Sequence, residues 1–375
     1  ALVVDDGADA RDATPGDGTC DDGTGRCTLR AAIDEANALG GPQTIVIDGS
    51  VPTVTLALSG TGENLNAAGD LDITDSATVV GNGATVDAAG LASADRVVEI
   101  VGGIDVTLAD LVITGGDATG SGGSGGGIRV AGNADVTLER VTVRGNSAPA
   151  AGGTGGGIAV QVGTLTVRDS TIADNTGAGQ GGGIHAVGGG TIALTNATVT
   201  GNAAPTGGGI YVSSSSASLI SSTVAGNGND NIRLAPSGLL SLSGSIVADP
   251  TSGSDCNGGT RISNGFNIDS DGSCSLSGVG DQPSVDPLLG ALADNGGPTE
   301  TRPVGTGSPA IDAIPDGTAT LCDGSLTTDQ RGMPRPLGAG CDIGAVETLA
   351  SVTVTGGGDT HDLVPGDGVC ADGLG

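Results

Sequence analysis

The sequence predicts an all-β chain wound as a right-handed parallel β-helix, a solenoid, and three observations carry that prediction. GGGI ends at Ile128, Ile158, Ile184 and Ile210, at spacings of 30, 26 and 26 residues. A second run, TVRGN, TIADN, TVTGN and TVAGN, ends at Asn146, Asn175, Asn202 and Asn227 and interleaves with the first. Aromatic residues make up 1% of the 375 residues, against a hydrophobic fraction of 37%. Repeats of about 20–30 residues with strand-like alternation mark stacked coils, one coil per repeat. A core of small branched side chains suits a narrow coil, whereas a globular α/β core of this size draws on many aromatics. The 73 glycines have no Gly-X-Y period, which excludes collagen.

At the N-terminus, residues 1–43 read as a disulfide loop followed by a capping helix. CTLRAAIDEANA at 27–38 places Leu29, Ala32, Ile33 and Ala36 on one helical stripe, with Gly40 and Pro42 to end it. A helix here plugs one open end of the solenoid core.

Residues 44–250 are expected to form about eight coils, a rod of roughly 40 Å at the usual strand spacing. Within each coil alternate residues point inward. Ile128, Ile158, Ile184 and Ile210 are therefore expected to stack as one internal column, and Val143, Ile172, Val199 and Val224 as another. The glycine triplets suit corners with positive φ or close backbone approach. The asparagines Asn146, Asn175, Asn202 and Asn227 fall where strands end, at left-handed turns, and their amides are expected to stack as a ladder. Thr142, Thr171, Thr198 and Thr223 form a further column expected to face outward, which β-propensity explains without an ice-binding role.

Residues 251–350 form a C-terminal segment, and residues 351–375 resemble residues 1–25. Pro365 falls on Pro15, Cys370 on Cys20 and Gly375 on Gly25, with 12 of 25 positions identical. This recurrence predicts the start of a second tandem module. The seven cysteines suggest local disulfides Cys20–Cys27, Cys256–Cys274 and Cys322–Cys341. Cys370 is left over, its partner expected beyond the last residue. Disulfides point to an oxidising, exported setting. No signal peptide or transmembrane run is evident, so Ala1 reads as a mature start or as the edge of a longer chain.

The net charge is −30, from 43 acidic and 13 basic residues, which disfavours nucleic acid and anionic membranes as partners. CTLRAAIDEANA at 27–38 resembles the CSLREA-type motif near the start of bacterial exported β-helix proteins. DNGGPTETRPVGTGSPAIDAI at 294–314, DQRGMPRP at 329–336, CDIGAVE at 341–347 and SNGFNIDSDGSC at 263–274 resemble the C-terminal segment of choice-of-anchor surface proteins. The GGGI and asparagine repeats are similar to those of polymorphic outer-membrane proteins. TRPV at 301–304 departs from the TxAL-like run of those relatives. The resemblance implies an exported surface β-helix with few assigned activities.

Catalytic chemistry has little to stand on. The GHG and RIK motifs by which β-helix polysaccharide hydrolases resemble one another are absent, and the DD pairs at 5–6 and 21–22 lack partner motifs. Asp169 and Asp174 read as turn residues rather than the two flanking carboxylates that sugar hydrolysis needs. Arg129, Arg140, Arg144 and Arg168 are expected to pair with Glu139 and Asp169 on a solvated face rather than form a stripe for an acidic glycan. His185 aligns with Arg129, Ala159 and Tyr211 in a column expected to face solvent, where His185 and Tyr211 offer at most a small sugar-binding patch. Calcium is the one candidate cofactor, at Asn267, Asp269 and Asp271, with the acidic stretch from Asp5 to Asp22 as a second candidate place for it. The spacing of Asn267, Asp269 and Asp271 matches the opening of a calcium loop, against a plain disulfide-bound turn as the other reading. The function expected is an extracellular or bacterial cell-surface structural or adhesive module, tandemly repeated or assembled end to end with itself. The alternative is a glycan-binding or polysaccharide-degrading β-helix.

Overall fold

Alternation and glycine corners translate into a three-faced parallel coil. The computed structural model describes residues 1–349; Cys370 and the expected second module at 351–375 lie outside the described residues. In each coil the chain runs along a third face, then a first face, then a second face, and returns through a glycine-rich loop. One coil shows the pattern: Ile128–Ala131 on the third face, Ala134–Glu139 on the first, Thr142–Arg144 on the second. The third face is an 8-stranded parallel sheet that begins at Leu71–Ile73 and ends at Cys256–Asn257. Eight stacked strands make about seven full turns.

The first and second faces are joined because two strands bend round the corner without a break. Ala77–Asp87 and Asp105–Thr114 each contribute to both faces, and their register shifts between Val80 and Ala84, where Gly81, Asn82 and Gly83 turn the corner. The same corner in later coils holds one left-handed residue: Asp110, Arg140, Asp169, Asn196, Ser221 and then Gly244. At the next corner the left-handed position is Gly145, Asp174, Gly201 and Gly226. Each of these precedes a ladder asparagine, so the positive φ belongs to the neighbour and not to Asn146, Asn175, Asn202 or Asn227, a correction to the sequence reading.

Inside, Ile128, Ile158, Ile184 and Ile210 pair strand to strand and are fully buried. Val143, Ile172, Val199 and Val224 do the same. The asparagine amides bond in sequence at 2.9–3.1 Å, Asn146 to Asn175 to Asn202 to Asn227, and each Oδ1 also accepts the preceding ladder residue's backbone N–H. The column continues through Asn231 to Asp255. Gly208 shows why the loop corners need glycine: a Cβ there would lie 1.6 Å from the Gly228 carbonyl oxygen.

At the N-terminal end, Thr28 caps a helix, α1, at Leu29–Leu39, by accepting from the Ala31 amide. Leu29, Ala32, Ile33 and Ala36 join the solenoid core. The polar side of α1 is buried as well. Arg30 pairs with Asp9 at 2.6 Å, and Glu35 accepts the amides of Gly16 and Gly18. Leu2–Val4 adds a parallel strand beside Gln43–Ile47. Past residue 250 the coiling continues through Cys256–Asn257, Thr260–Ser263 and Ile268–Asp269. The stack thus begins before residue 44 and ends after residue 250, wider limits than the sequence suggested.

The remaining C-terminal segment folds back along the outside of the second face. Val304, Ala310, Ile314, Leu321 and Ile343 form a second apolar core against Ala225, Ile246, Ala248 and Ile268. The threonine column lies under this layer and is buried, not solvent-facing. Thr171 Oγ1 donates to the Glu300 carbonyl, Thr198 to Gln330, and Thr223 Oγ1 accepts from the Ala345 amide. Thr301 and Val304, within the TRPV departure, pair with Ala293 and Leu289 in this layer. Disulfides join Cys20 to Cys27, Cys256 to Cys274 and Cys322 to Cys341.

Candidate functional site: acids and arginines outside the third face

The third face carries an outward column that runs Asp72, Glu99, Arg129, Ala159, His185, Tyr211, Arg233 and Asn257 from coil to coil. Flanking residues of each strand point inward and anchor it: Leu71 and Ile73, then Val98 and Ile100. The outward side chains are nevertheless covered, because the loops that enter the face fold back over it. A Cβ on Gly181 would lie 2.9 Å from the His185 Cβ, and one on Gly207 would lie 3.2 Å from that of Tyr211.

At the N-terminal end of this column four acids and two arginines come together. Arg96 donates to Asp70 at 3.0 Å and to Glu99. Arg129 donates to the other Glu99 oxygen and to Gln161 at 2.6 Å. Asp72 Oδ2 accepts the Asn66 amide at 2.9 Å, while its Oδ1 has no partner. Asp95 Oδ1 accepts the Arg96 amide, while its Oδ2 has none. Asp70, Asp72, Asp95 and Glu99 are all at most 3% exposed. Burial pushes the Asp70 carboxyl up to about 8, helped by the charges of Asp72 and Asp95. Burial likewise pushes Asp72 up to about 7. The cluster therefore holds protons or a cation near neutrality; it is too enclosed for a glycan to reach.

The sequence reading named Arg129 but missed Arg96 and the four acids. The signal was present as Asp72 and Glu99, each a lone acid in the centre of an apolar strand, LDI and VEI, in register with Arg129.

The residues singled out from the sequence are dispersed. The four arginines occupy different faces and corners: Arg144 pairs with Glu300 and Asp174, Arg140 with Asp110 and Glu139, Arg129 with Glu99, and Arg168 is exposed. Asp169 takes the Asn196 amide instead of an arginine. A cleft of about 450 Å³ lies between the first corner and the tip of the C-terminal layer, lined by Asn82, Gly83, Asp110, Leu111, Val112, Arg140 and Pro298. Its charged groups are spent on one another, since Arg140 holds both Asp110 oxygens at 2.7 and 2.9 Å.

His185 is buried, at 6% exposure, and stacks on Tyr211 with centroids 5.4 Å apart. Burial pulls its pKa down to about 4, so it is neutral near neutral pH. The expectation of a solvated histidine fails because the glycine loop covers it.

Of the calcium candidates, Asp269 and Asp271 meet Asp255, not Asn267. Asn267 sits in the inner column of the first corner, accepting the Ser245 amide and donating to Asp281 and Ser263. The three carboxylates serve the turn closed by Cys256–Cys274. Asp269 accepts the Gly272 and Cys274 amides, Asp255 those of Ser270 and Asp271, and Asp271 those of Ser273 and Asp255. Every carboxylate oxygen there already has a donor, as Asp255 Oδ1 takes the Asn231 amide.

One buried acid gives a pH test of the C-terminal layer. Asp342 accepts the Asp312 and Thr348 amides, and burial pushes it from 3.8 up to about 7. Between those values the native state keeps a proton that the unfolded chain has released. The stability this contributes is complete below pH 4 and lost as pH rises through 7. Thermal unfolding in chelator is expected to show a lower midpoint at pH 8 than at pH 5, with a shallower slope in Asp342→Asn. An unchanged slope in the variant would contradict the assignment.

No helix among the described residues is long and apolar enough to cross a membrane. Comparison with curated proteins and with solved structures returns no match. Residues 102–278 match the family model described as right handed beta helix region, and the coils before and after that stretch carry the same parallel β-helix.

Proposed function

We propose that the chain is an exported structural or adhesive module of a bacterial cell surface that assembles end to end with further copies of itself. The observation that carries this reading is the pair of open strand edges on the first face. Leu2–Val4 pairs on one side with Gln43–Ile47, and Thr260–Ser263 pairs on one side with Leu239–Ser243; neither has a second neighbour among the described residues. Parallel edges at opposite ends of one sheet are complementary, and head-to-tail addition continues the ladder without closing it. Val3 is 51% exposed at one end, and Ile262 and Val279 are 46% and 79% exposed at the other. The recurrence of PGDG and its cysteine at Pro15 and Pro365 supports the same arrangement in a covalent array. Along the sides, the polar columns are occupied by the C-terminal layer and by internal ion pairs, which leaves little to contact a glycan.

Sedimentation velocity of the chain with Ile262→Lys and Val279→Lys tests the proposal. Both side chains are exposed, so the melting temperature should hold while concentration-dependent association is lost. Association unchanged in the double variant would overturn the end-to-end reading. Turnover of an acidic polysaccharide by the unaltered chain, followed as reducing ends or unsaturated product, would replace it with the enzymatic one.

A further inference from the structure

The ionisable groups outside the third face are unequal in number, acids against arginines. Fully ionised, Asp70, Asp72, Asp95 and Glu99 carry four negative charges, and Arg96 and Arg129 supply two positive ones. Neighbouring ions are already matched: Arg30 with Asp9, and Arg11 with Asp34. Glu63 spends its oxygens on the amides of Leu65, Ala67 and Ala68. Two negative charges are left over in a place where solvent does not reach, and burying unmatched charge is costly.

Two further observations point to a bound cation. One carboxylate oxygen each from Asp70, Asp72 and Glu99 lies within 4.8 Å of the others, a separation that a shared ion with oxygen ligands at about 2.3–2.6 Å accommodates. Two buried oxygens also lack any hydrogen-bond donor, Asp72 Oδ1 and Asp95 Oδ2. The latter sits against Gly69, where a Cβ would come within 2.4 Å of it. This differs from the Asp255, Asp269 and Asp271 group, where every oxygen is supplied with a donor.

We propose that Asp70, Asp72 and Glu99 hold one calcium ion, with Asp95 beside them completing the negative charge. The ion matches the two surplus charges. It fastens the 57–72 segment to the third face by joining one coil, through Asp72, to the next, through Glu99. Calcium fits better than magnesium because it accepts irregular oxygen sets and gives up its water more readily. Arg96 and Arg129 act as positioning residues: Arg96 holds Asp70 and one Glu99 oxygen, and Arg129 holds the other.

The test is thermal unfolding of the full chain after chelation, titrated with calcium chloride alone and then with magnesium chloride alone. Calcium is expected to raise the midpoint by about 5 °C at saturation, as binding to the native state alone does, and calorimetry should give one site. Asp72→Asn separates the site from a general salt effect by its sign. In chelator the variant should melt at or above the unaltered chain, because one buried repulsion is gone, and it should lose the calcium increment. Asp271→Asn should keep that increment. The proposal is overturned if calcium leaves the midpoint of the unaltered chain unchanged, if Asp72→Asn responds to calcium as the unaltered chain does, or if magnesium matches calcium.

Discussion

Replacing Arg30 with methionine is expected to destabilise the fold by about 3–5 kcal/mol, the usual result of leaving one member of a buried ion pair without the other. Arg30 and Asp9 are both fully enclosed, 2.6 Å apart. The same guanidinium also donates to the carbonyls of Asn66, Gly69 and Asp70. One side chain thus ties α1 to the N-terminal loop and to the segment that leads into the third face. Its loss strands Asp9, whose remaining donors are the Ala57 and Leu58 amides, and frees three buried carbonyls. Denaturant unfolding followed by circular dichroism measures the difference. Arg26→Met is the control, since Arg26 is half exposed and its pairs with Asp5 and Asp6 should contribute under about 1 kcal/mol. Equal effects for the two variants would mean that the N-terminal cap does not share in the cooperative fold.

The second large effect is expected in the asparagine ladder. Asn175→Ala removes the acceptor for both the backbone N–H and the side-chain amide of Asn146, and the donor to Val143 and Asn202. These groups are buried where water does not replace the lost partners. At about 1–3 kcal/mol for a stranded buried group, partly relaxed, the net loss is about 3 kcal/mol. Asn175→Leu should do no better, because the orphaned groups remain. Ser277→Ala, at an exposed position, should stay within about 0.5 kcal/mol. A ladder variant no worse than that control would show that stacked aliphatic columns alone hold the coils.

What could be read from the sequence was whatever repeats. Ile128, Ile158, Ile184 and Ile210 announce their own register, since equivalent positions in successive coils become neighbours and a column is one residue type at one spacing. The same logic exposes the threonine and asparagine columns. What covers a column is a different matter. Thr171, Thr198 and Thr223 look solvated until the aperiodic segment at 294–347 lies over them, and no periodicity in that segment advertises the contact. His185 fails for a related reason: the glycine that makes its loop possible also folds the loop over its ring. Asn267 belongs to a corner column with Ser245 because the coiling runs on beyond residue 250, and this placement separates it from Asp269 and Asp271. Asp72 and Glu99 were legible in principle, as acids centred in apolar strands. Neither strand is preceded by a GGGI run, so only the strand pairing places the two acids side by side.

The central claim is end-to-end assembly of a rigid coil, and negative-stain electron microscopy of the native, non-reduced protein isolated from its source tests it most directly. The account predicts fibres with a regular axial repeat of roughly 40–50 Å per module, the height of eight to ten strands at their usual spacing. Discrete short rods of one module's length, unchanged as concentration rises, would contradict it.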